Sequence, residues 1–513
     1  MKILHLRNQI LTLLFIFLIG CIFNEEQKSQ QTVNPNIIII LVDDMGYGDL
    51  KSYNQKSKIP TPNIDGLARE GIRFMDANAP GAVCHPSRYG LLTGRYPFRT
   101  DINVWPDQPV IDEERMTIAS LLKSEGYHTA MVGKWHLGFD ESASIESSRK
   151  NEEERGNNTR AAYRIYEEGQ LLSGGPVDRG FDSFFGIRAS TDIPPYFYIR
   201  DDRVFNPPSN TVNDNFSGGI WTDIQGAFWR EGGIAPGLDL IDVLPRFTDE
   251  SIEVIEEHRS KSQGQPLFLY VAYPAPHTPW LPTEEFEGIS DAGMYGDFMA
   301  MVDAEIGKLL SAVDKANMTD ETLVIFSSDN GPVWYEKDKK YFNHDSQGGL
   351  RGMKADVYEA GHRVPFIVRW PGVVDEGTVT NQTISFTDLM ATFADVLNKE
   401  LPENAGEDSF SLLSVLAGEQ PENESIRPPV ISVSSRGVRS IKDGQWKLIE
   451  ELGSGGFTEP VFVEPEFDGP EGQLYNLEED LQETNNLWNE RPDIVARFKG
   501  ILEQYDRYAR SRP

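Results

Sequence analysis

One uninterrupted apolar run constrains the fold of this chain more than any other feature. The segment Asn36–Val42 reads NIIIILV and offers no alternation between apolar and polar residues. A strand of this kind must be buried on both faces, as strands of parallel sheets are. Further β-rich runs at 128–132, 267–272 and 323–326 alternate with helical segments at 116–125 and 297–317. This alternation predicts an α/β fold with a large, mostly parallel central sheet.

Charged, amide or imidazole side chains follow each of these predicted strands. They are Asp43 and Asp44, then Lys134 and His136, then His277, and finally Asp329 and Asn330. Taken singly, an aspartate after a strand is more often a turn or cap residue, and a lone histidine is more often structural. The carboxyl ends of parallel strands, however, meet at one sheet edge, where ligands bind. Their convergence there favours a functional site.

The acidic members of this group have the chemistry of a metal site. Three carboxylates, from Asp43, Asp44 and Asp329, would repel one another unless a cation lay among them. Together with the Asn330 amide oxygen they favour calcium or magnesium over zinc. Positive charge comes from Arg88, Lys134 and Lys354, with the imidazoles of His136 and His277. A metal beside fixed cations can bind a tetrahedral anion and stabilise charge during its transfer.

The chain contains two cysteines, Cys21 and Cys84. Cys84 lies in the stretch VCHPSRYGLLTGRY, between a Pro-Gly loop and a predicted helix. A free cysteine is commonly a small buried hydrophobe. Because the predicted site otherwise lacks a nucleophile, Cys84 is also the candidate nucleophile.

The N-terminus carries an export signal. Basic residues precede the apolar run LTLLFIFLIG at 11–20, which is too short to span a bilayer. The sequence LIGC, ending at Cys21, resembles the lipobox of bacterial lipoproteins, in which the cysteine is acylated. We predict a lipoprotein signal peptide over 1–20, lipidation of Cys21 and a tether over 21–34. The protein is then anchored by lipid to a bacterial membrane, in the periplasm or at the outer-membrane surface. A plain cleaved signal is the alternative.

The charge balance bears on possible partners. The chain has 48 Lys and Arg against 80 Asp and Glu, a formal net charge of −32. Such acidity argues against nucleic acid as a partner. Any anionic substrate must therefore be received by a local cluster of positive charge.

A family resemblance lies in the stretch around Cys84. Residues 84–88, CHPSR, followed by LTGR at 92–95, resemble the signature of the formylglycine-dependent sulfatases of the alkaline phosphatase superfamily. Further stretches match in order: VDD at 42–44, GKWHLG at 133–138, PHTP at 276–279, SDNG at 328–331 and RGMK at 351–354. The resemblance implies an alkaline-phosphatase-like sandwich, with a catalytic domain over 35–424. It also implies a C-terminal α+β subdomain over 425–513, made of an antiparallel sheet and a helix.

The resemblance also implies the chemistry. Cys84 would be oxidised to formylglycine by a formylglycine-generating or anaerobic sulfatase-maturating enzyme. Its hydrate offers two hydroxyls, one to attack sulfur and one to eliminate sulfate. One Ca²⁺ would be held by residue 84 with Asp43, Asp44, Asp329 and Asn330. Arg88 and Lys134 would hold the hydrate, His136 would assist elimination, and His277 and Lys354 would bind the sulfate.

Several features of the sequence bear on the substrate. The segment 190–203, which contains Asp192, resembles family members that remove 6-O-sulfate from galactose-type sugars. His344 and Asp345, between two motifs, are further candidates for substrate contact. We predict an exo-acting sulfatase for oligosaccharides of a sulfated polysaccharide, because an acidic surface would repel a sulfated polymer outside the cationic pocket. Two alternatives remain open: a phosphonate or phosphodiester hydrolase, and a non-catalytic surface glycan-binding lipoprotein with unmodified Cys84.

Overall fold

Sixteen strands and ten helices are assigned in the described part of the chain. The structure is a computed structural model that describes residues 34–105, 108–145, 164–262 and 264–513. The strands are β1 (Asn36–Val42), β2 (Ile72–Asn78), β3 (His128–Lys134), β4 (Ser183–Ile187), β5 (Tyr198–Arg200), β6 (Arg203–Phe205), β7 (Asn210–Val212), β8 (Gly232–Ile234), β9 (Leu267–Ala272), β10 (Thr322–Ser328), β11 (Arg363–Arg369), β12 (Thr378–Ser385), β13 (Val430–Val433), β14 (Arg439–Asp443), β15 (Trp446–Ile449) and β16 (Gln473–Asn476). The helices are α1 (Pro62–Arg69), α2 (Cys84–Thr93), α3 (Ile118–Ser124), α4 (Val243–Lys261), α5 (Gly293–Lys315), α6 (Glu336–Phe342), α7 (Glu359–His362), α8 (Leu389–Val396), α9 (Leu413–Leu416) and α10 (Pro492–Tyr508).

The main sheet contains ten strands, in the order β12-β2-β11-β10-β1-β9-β3-β4-β5-β6. Its centre, from β10 through β1, β9 and β3 to β4, is entirely parallel. Strand β11 runs antiparallel to β10 and β2, and β5 and β6 form an antiparallel edge. The predicted large, mostly parallel sheet is confirmed, and the carboxyl ends of β1, β3, β9 and β10 lie side by side.

Strand β1 shows why its sequence is so apolar. All seven of its residues are buried. Ile37, Ile39 and Leu41 pack on one face, in a core that includes residues of α3 and α8. Their neighbours Ile38, Ile40 and Val42 pack on the other face, in a core with residues of α1, α4 and α5. Because burying such a side chain is worth about 1.5–3 kcal/mol, both faces must be covered, which produces the sandwich.

A separate antiparallel sheet lies near the C-terminus. Its strands β13, β14, β15 and β16 are neighbours in sequence order, and α10 contributes Phe498 and Leu502 to the core beneath them. The predicted small sheet with a closing helix is therefore confirmed. By its contacts, Asn36–Pro513 forms one compact unit. The domain boundary at 424/425 stays a prediction.

Buried ion pairs join the small sheet to α7. Lys447 of β15 lies 3.0 Å from a Glu359 carboxylate oxygen and 2.9 Å from one of Glu483, and all three side chains are inaccessible to solvent. Removing one partner of a buried pair typically costs about 3–5 kcal/mol, because the other charge stays buried without compensation. The small sheet is thus held firmly against α7.

The predicted signal peptide, Cys21 and the tether up to residue 33 lie outside the described residues and stay predictions. Within the described ranges, no helix combines the length and the apolar character that crossing a membrane requires.

Candidate active site

The loops that leave the central strands bring most of the predicted site residues together. Asp43 and Asp44 follow β1, Asp329 follows β10, and Lys134 is the last residue of β3. His277 lies in the loop after β9. The chain turns sharply at this edge: Asp44 has φ of 65°, in the left-handed region that non-glycine residues rarely adopt. Such a conformation persists only where the surrounding structure holds it.

Cys84 is the first residue of α2 and points into this group. Its side chain is buried, with Sγ 3.2 Å from Asp43 Oδ1 and 3.5 Å from Lys354 Nζ. Burial, with the nearby Asp329 and Asp43 carboxylates, raises the pKa of the thiol well above its usual value. An unmodified Cys84 therefore stays protonated and is a poor nucleophile at neutral pH.

Fixed cations surround the carboxylates. Arg88, one helical turn after Cys84, donates from Nε to Asp329 Oδ2 at 2.9 Å and from Nη2 to Asp43 Oδ2 at 3.2 Å. Lys134 pairs with the same Asp43 oxygen, and Lys354 Nζ lies 2.7 Å from Asp44 Oδ1. These side chains are buried, so each charge depends on its partner.

The carboxylates differ in how well their charge is compensated. Burial would raise the pKa of Asp43, but Lys134, His277 and Arg88 outweigh it and hold the pKa well below its usual range. Burial and the neighbouring Asp43 charge raise the pKa of Asp329 instead. The charge of Asp329 is therefore less well compensated than that of Asp43, and a cation beside it would stabilise the ionised carboxylate.

The donor set fits a hard metal ion. Asp43, Asp44, Cys84 and His277 present potential ligand atoms that all lie within 4.8 Å of one another. Asn330 Oδ1 is buried without a hydrogen-bond partner, while its amide nitrogen donates to Asp44 Oδ1 at 2.7 Å. An acceptor oxygen left open beside carboxylates is the arrangement that calcium uses. This group adds His277, which the sequence had assigned to the sulfate.

Two imidazoles beside the site are held neutral. Burial and the charge of Lys134 lower the pKa of His136 far below its usual value, and its Nδ1 has no partner. The ring of His136 packs edge-on against Trp105, with centroids 4.5 Å apart. Burial also lowers the pKa of His85 to about 4. Sequence reasoning passed over His85, because it occupies the variable position of the CxPSR pattern.

His277 lies between the metal group and Asp192. Its Nε2 lies 3.6 Å from Asp44 Oδ2, and its Nδ1 lies 3.8 Å from Asp192 Oδ1. The same Nδ1 is 2.7 Å from the Thr278 carbonyl oxygen, which requires a proton on Nδ1. In the neutral ring Nε2 is then the basic nitrogen.

A cavity of about 220 Å³ opens over these groups. Its lining includes Asp44, Cys84, His136, His277 and Lys354, together with Asp192, Arg230, Phe228 and Phe457. The substrate candidate Asp192 is thus placed at the cavity. Arg230 and Phe457 were missed by sequence reasoning, because they lie far along the chain from every motif.

The structure places the other two substrate candidates elsewhere. His344 is fully buried, its Nε2 lies 2.8 Å from Asp49 Oδ1, and its ring packs on Trp334. Asp345 pairs with Lys339 at 2.7 Å. Neither lines the cavity. Both side chains are engaged with partners outside the cavity, so their proposed contact with substrate has no support in this geometry.

The fold and the site together define an alkaline-phosphatase-like enzyme whose buried cations and acidic metal group suit a tetrahedral anion. The chain belongs to the sulfatase family: the family model described as Sulfatase matches residues 35–399. It is therefore a sulfuric ester hydrolase, and the family predicted from the CxPSR stretch is confirmed.

Named relatives and one solved structure are similar to most of this chain. The N-acetylgalactosamine-6-O-sulfatase of Bacteroides thetaiotaomicron is 32% identical, over 93% of this chain and 94% of that protein. Human arylsulfatase A is also 32% identical, over 80% of this chain and 74% of that protein. A solved structure from work on glycosaminoglycan metabolism in B. thetaiotaomicron superposes with a TM-score of 0.74 at 30% identity, covering 92% of this chain and 99% of that one.

Proposed function

We propose that this enzyme removes 6-O-sulfate from an N-acetylgalactosamine residue at the end of an oligosaccharide derived from a sulfated polysaccharide. The observation that carries the proposal is the small cavity. Lys354 and His277, the predicted sulfate-binding residues, line it together with Asp192. The similarity to the B. thetaiotaomicron 6-O-sulfatase, which extends over nearly the whole of both chains, supports the choice of sugar and position.

The size of the cavity supports action at chain ends. Its volume of about 220 Å³ is below the range of roughly 300–1,000 Å³ that is usual for small-molecule pockets. It suits one sugar ring with its sulfate rather than several consecutive residues. The net charge of −32 further disfavours binding along the middle of a polyanionic strand.

We also infer that the site works with two groups that the chain acquires. A calcium ion held by Asp43, Asp44, residue 84, Asp329 and Asn330 would supply Lewis acidity. Formylglycine at position 84 would supply the hydroxyl chemistry that a buried, protonated thiol lacks.

The side chains of the protein do the positioning and proton transfer. Lys354 Nζ, 3.5 Å from Cys84 Sγ, holds a sulfate oxygen beside residue 84 and stabilises developing negative charge. His277 lies between Asp44 and Asp192, so its ring, when protonated on Nε2 as well as on Nδ1, can deliver the Nε2 proton to the departing sugar oxygen. His136 lines the same cavity with an unpartnered Nδ1, and we infer that this nitrogen assists the elimination of sulfate.

A panel of positional isomers tests the proposal. We expect release of sulfate from 6-sulfated N-acetylgalactosamine, and at least about 100-fold slower release from the 4-sulfated isomer, because a buried polar site rejects a misplaced group. Sulfate release and product mass provide the readout. An aryl phosphonate serves as the control substrate for the rival hydrolase activity. Faster cleavage of the phosphonate, or rapid desulfation along an intact polymer without preference for short fragments, would contradict the proposal.

We further propose that a lipid on Cys21 anchors the enzyme in the bacterial cell envelope, because the apolar run at 11–20 ends directly in Gly-Cys. We expect the full-length protein to partition with detergent or membranes, and Cys21→Ser to move it to the soluble fraction with unchanged kcat. Fractionation of cells, followed by mass analysis of the N-terminal peptide, measures this. Solubility of the unaltered protein without detergent would refute the anchor.

A further inference from the structure

Arg230 is a half-exposed cation on the lining of the active-site cavity. Its side chain is 50% exposed, whereas that of Lys354, the other lysine or arginine among the lining residues, is only 10% exposed. The two cations thus lie at different depths. Lys354 pairs with Asp44 beside Cys84, while Arg230 lies on the solvent side of the cavity.

The guanidinium of Arg230 is held in one orientation. Its Nη1 donates to the Asp192 carboxylate and to the Asp192 carbonyl oxygen at 3.2 Å. The guanidinium carbon lies 4.9 Å from the centroid of the Phe228 ring, and Phe228 is itself buried. Stacking and ion pairing together fix the plane of the fork.

Two donor positions of this fork remain available. Among the described residues, no acceptor is bonded to Arg230 Nε or Nη2. A fixed guanidinium edge with open N–H groups is well suited to binding a carboxylate or a sulfate oxygen pair. Because the remaining surface is strongly acidic, an anion would concentrate at such a point rather than elsewhere.

In the Arg230–Asp192 pair, Asp192 offers an acceptor for a neutral group. Its Oδ1 is buried without a hydrogen-bond partner, 3.8 Å from His277 Nδ1. A buried acceptor in this position is suited to a sugar hydroxyl. The pair therefore presents an acceptor to the sugar inside the cavity and donors to whatever group lies at its mouth.

We propose that Arg230 binds an anionic group on the sugar next to the sulfated one. The group is either the carboxylate of a uronic acid or a second sulfate. This inference rests on the proposed function, because the cavity holds about one ring and the next sugar must lie at its mouth. It makes the enzyme selective for oligosaccharides whose second sugar is acidic over those whose second sugar is neutral, when both carry the same terminal sulfated sugar.

The wild-type enzyme provides the first test. Three disaccharides with the same terminal 6-sulfated N-acetylgalactosamine would be compared. In the first the second sugar is a uronic acid, in the second it is the carboxyl-reduced form of that sugar, and in the third it is a sugar without a carboxylate that carries a sulfate. We expect kcat/KM for the uronate to exceed that for the reduced form by about tenfold, as for a charge-assisted contact that is partly exposed to solvent. A larger kcat/KM for the sulfated arm would identify a second sulfate as the preferred anion.

Variants then assign the preference to Arg230. In Arg230→Gln we expect the uronate-to-reduced ratio to fall to about one, whatever happens to the absolute rates, and in Arg230→Lys to be partly restored. Arg200→Gln is the matched control, because Arg200 is 46% exposed, pairs with Glu250 and stacks on Phe185, away from the cavity. It should leave the ratio unchanged.

The outcomes separate the two proposals. The inference is wrong if the wild type turns over disaccharides with an acidic and with a neutral second sugar equally. It is also wrong if the preference for an acidic second sugar survives in Arg230→Gln, even though the terminal sugar is desulfated. If no 6-sulfated substrate is desulfated at all, while another sulfate ester is, the proposed function fails first, and this subsite falls with it.

Discussion

In the Cys84→Ser variant we expect kcat to fall by at least about 10⁴-fold while the fold is kept, because serine supplies only one of the two hydroxyls that the reaction needs. A serine at position 84 could attack sulfur and be sulfated. It lacks the second hydroxyl from which sulfate could be eliminated, so the enzyme would stop after one event. The fold should persist, because serine is nearly isosteric with cysteine. Asp43 Oδ1, which lies 3.2 Å from Cys84 Sγ, can accept a hydrogen bond from the serine hydroxyl.

Steady-state rates and intact-mass analysis measure this effect. We expect a serine sulfate on the variant, and in the active enzyme a residue-84 peptide whose mass shows the loss of the sulfur and two hydrogens and the gain of one oxygen, as the aldehyde requires. Cys21→Ser is the matched control, since it removes the other cysteine of the chain. Many turnovers per site by purified Cys84→Ser, or an active enzyme with an unmodified thiol, would disprove the two-hydroxyl mechanism.

Removal of the metal is expected to have the second largest effect. Chelation should lower activity by about 10³-fold, because the charge that develops on the sulfate loses its strongest stabilising partner. The melting temperature should also fall by a few degrees. An ion present at 100 times its dissociation constant contributes about 2.7 kcal/mol, and its loss leaves Asp43, Asp44 and Asp329 as clustered like charges.

Readdition of Ca²⁺ should restore both properties, measured by sulfate release and by thermal unfolding. Asn330→Ala should weaken calcium affinity, because the open Asn330 Oδ1 would be lost from the donor set. Asn381→Ala, at an exposed position of the edge strand β12, is the control and should respond to chelation as the wild type does. An unchanged rate and melting temperature after thorough chelation would refute the metal site.

Local sequence was sufficient to predict the centre of the fold and much of the site. The run Asn36–Val42 requires burial on both faces, and the structure buries every residue of it. Asp43, Asp44 and Lys134 follow or end parallel strands of one sheet, so their meeting at one edge followed from the strand pattern. The motif at Cys84 was local as well, because Arg88 lies one helical turn further along the same helix.

Tertiary structure alone decided what surrounds that centre. His344 was predicted to contact substrate because it lies between two motifs. Packing instead buries it against Asp49, which is 295 residues away in the chain. Arg230 reaches the cavity through its pair with Asp192, and Phe457 reaches it from the C-terminal segment, where its backbone N–H donates to Asp356 at 2.7 Å. Such contacts join segments that share no local pattern. They arise only when folding has already placed the strands, because a buried polar group takes whichever partner the assembled structure brings to it.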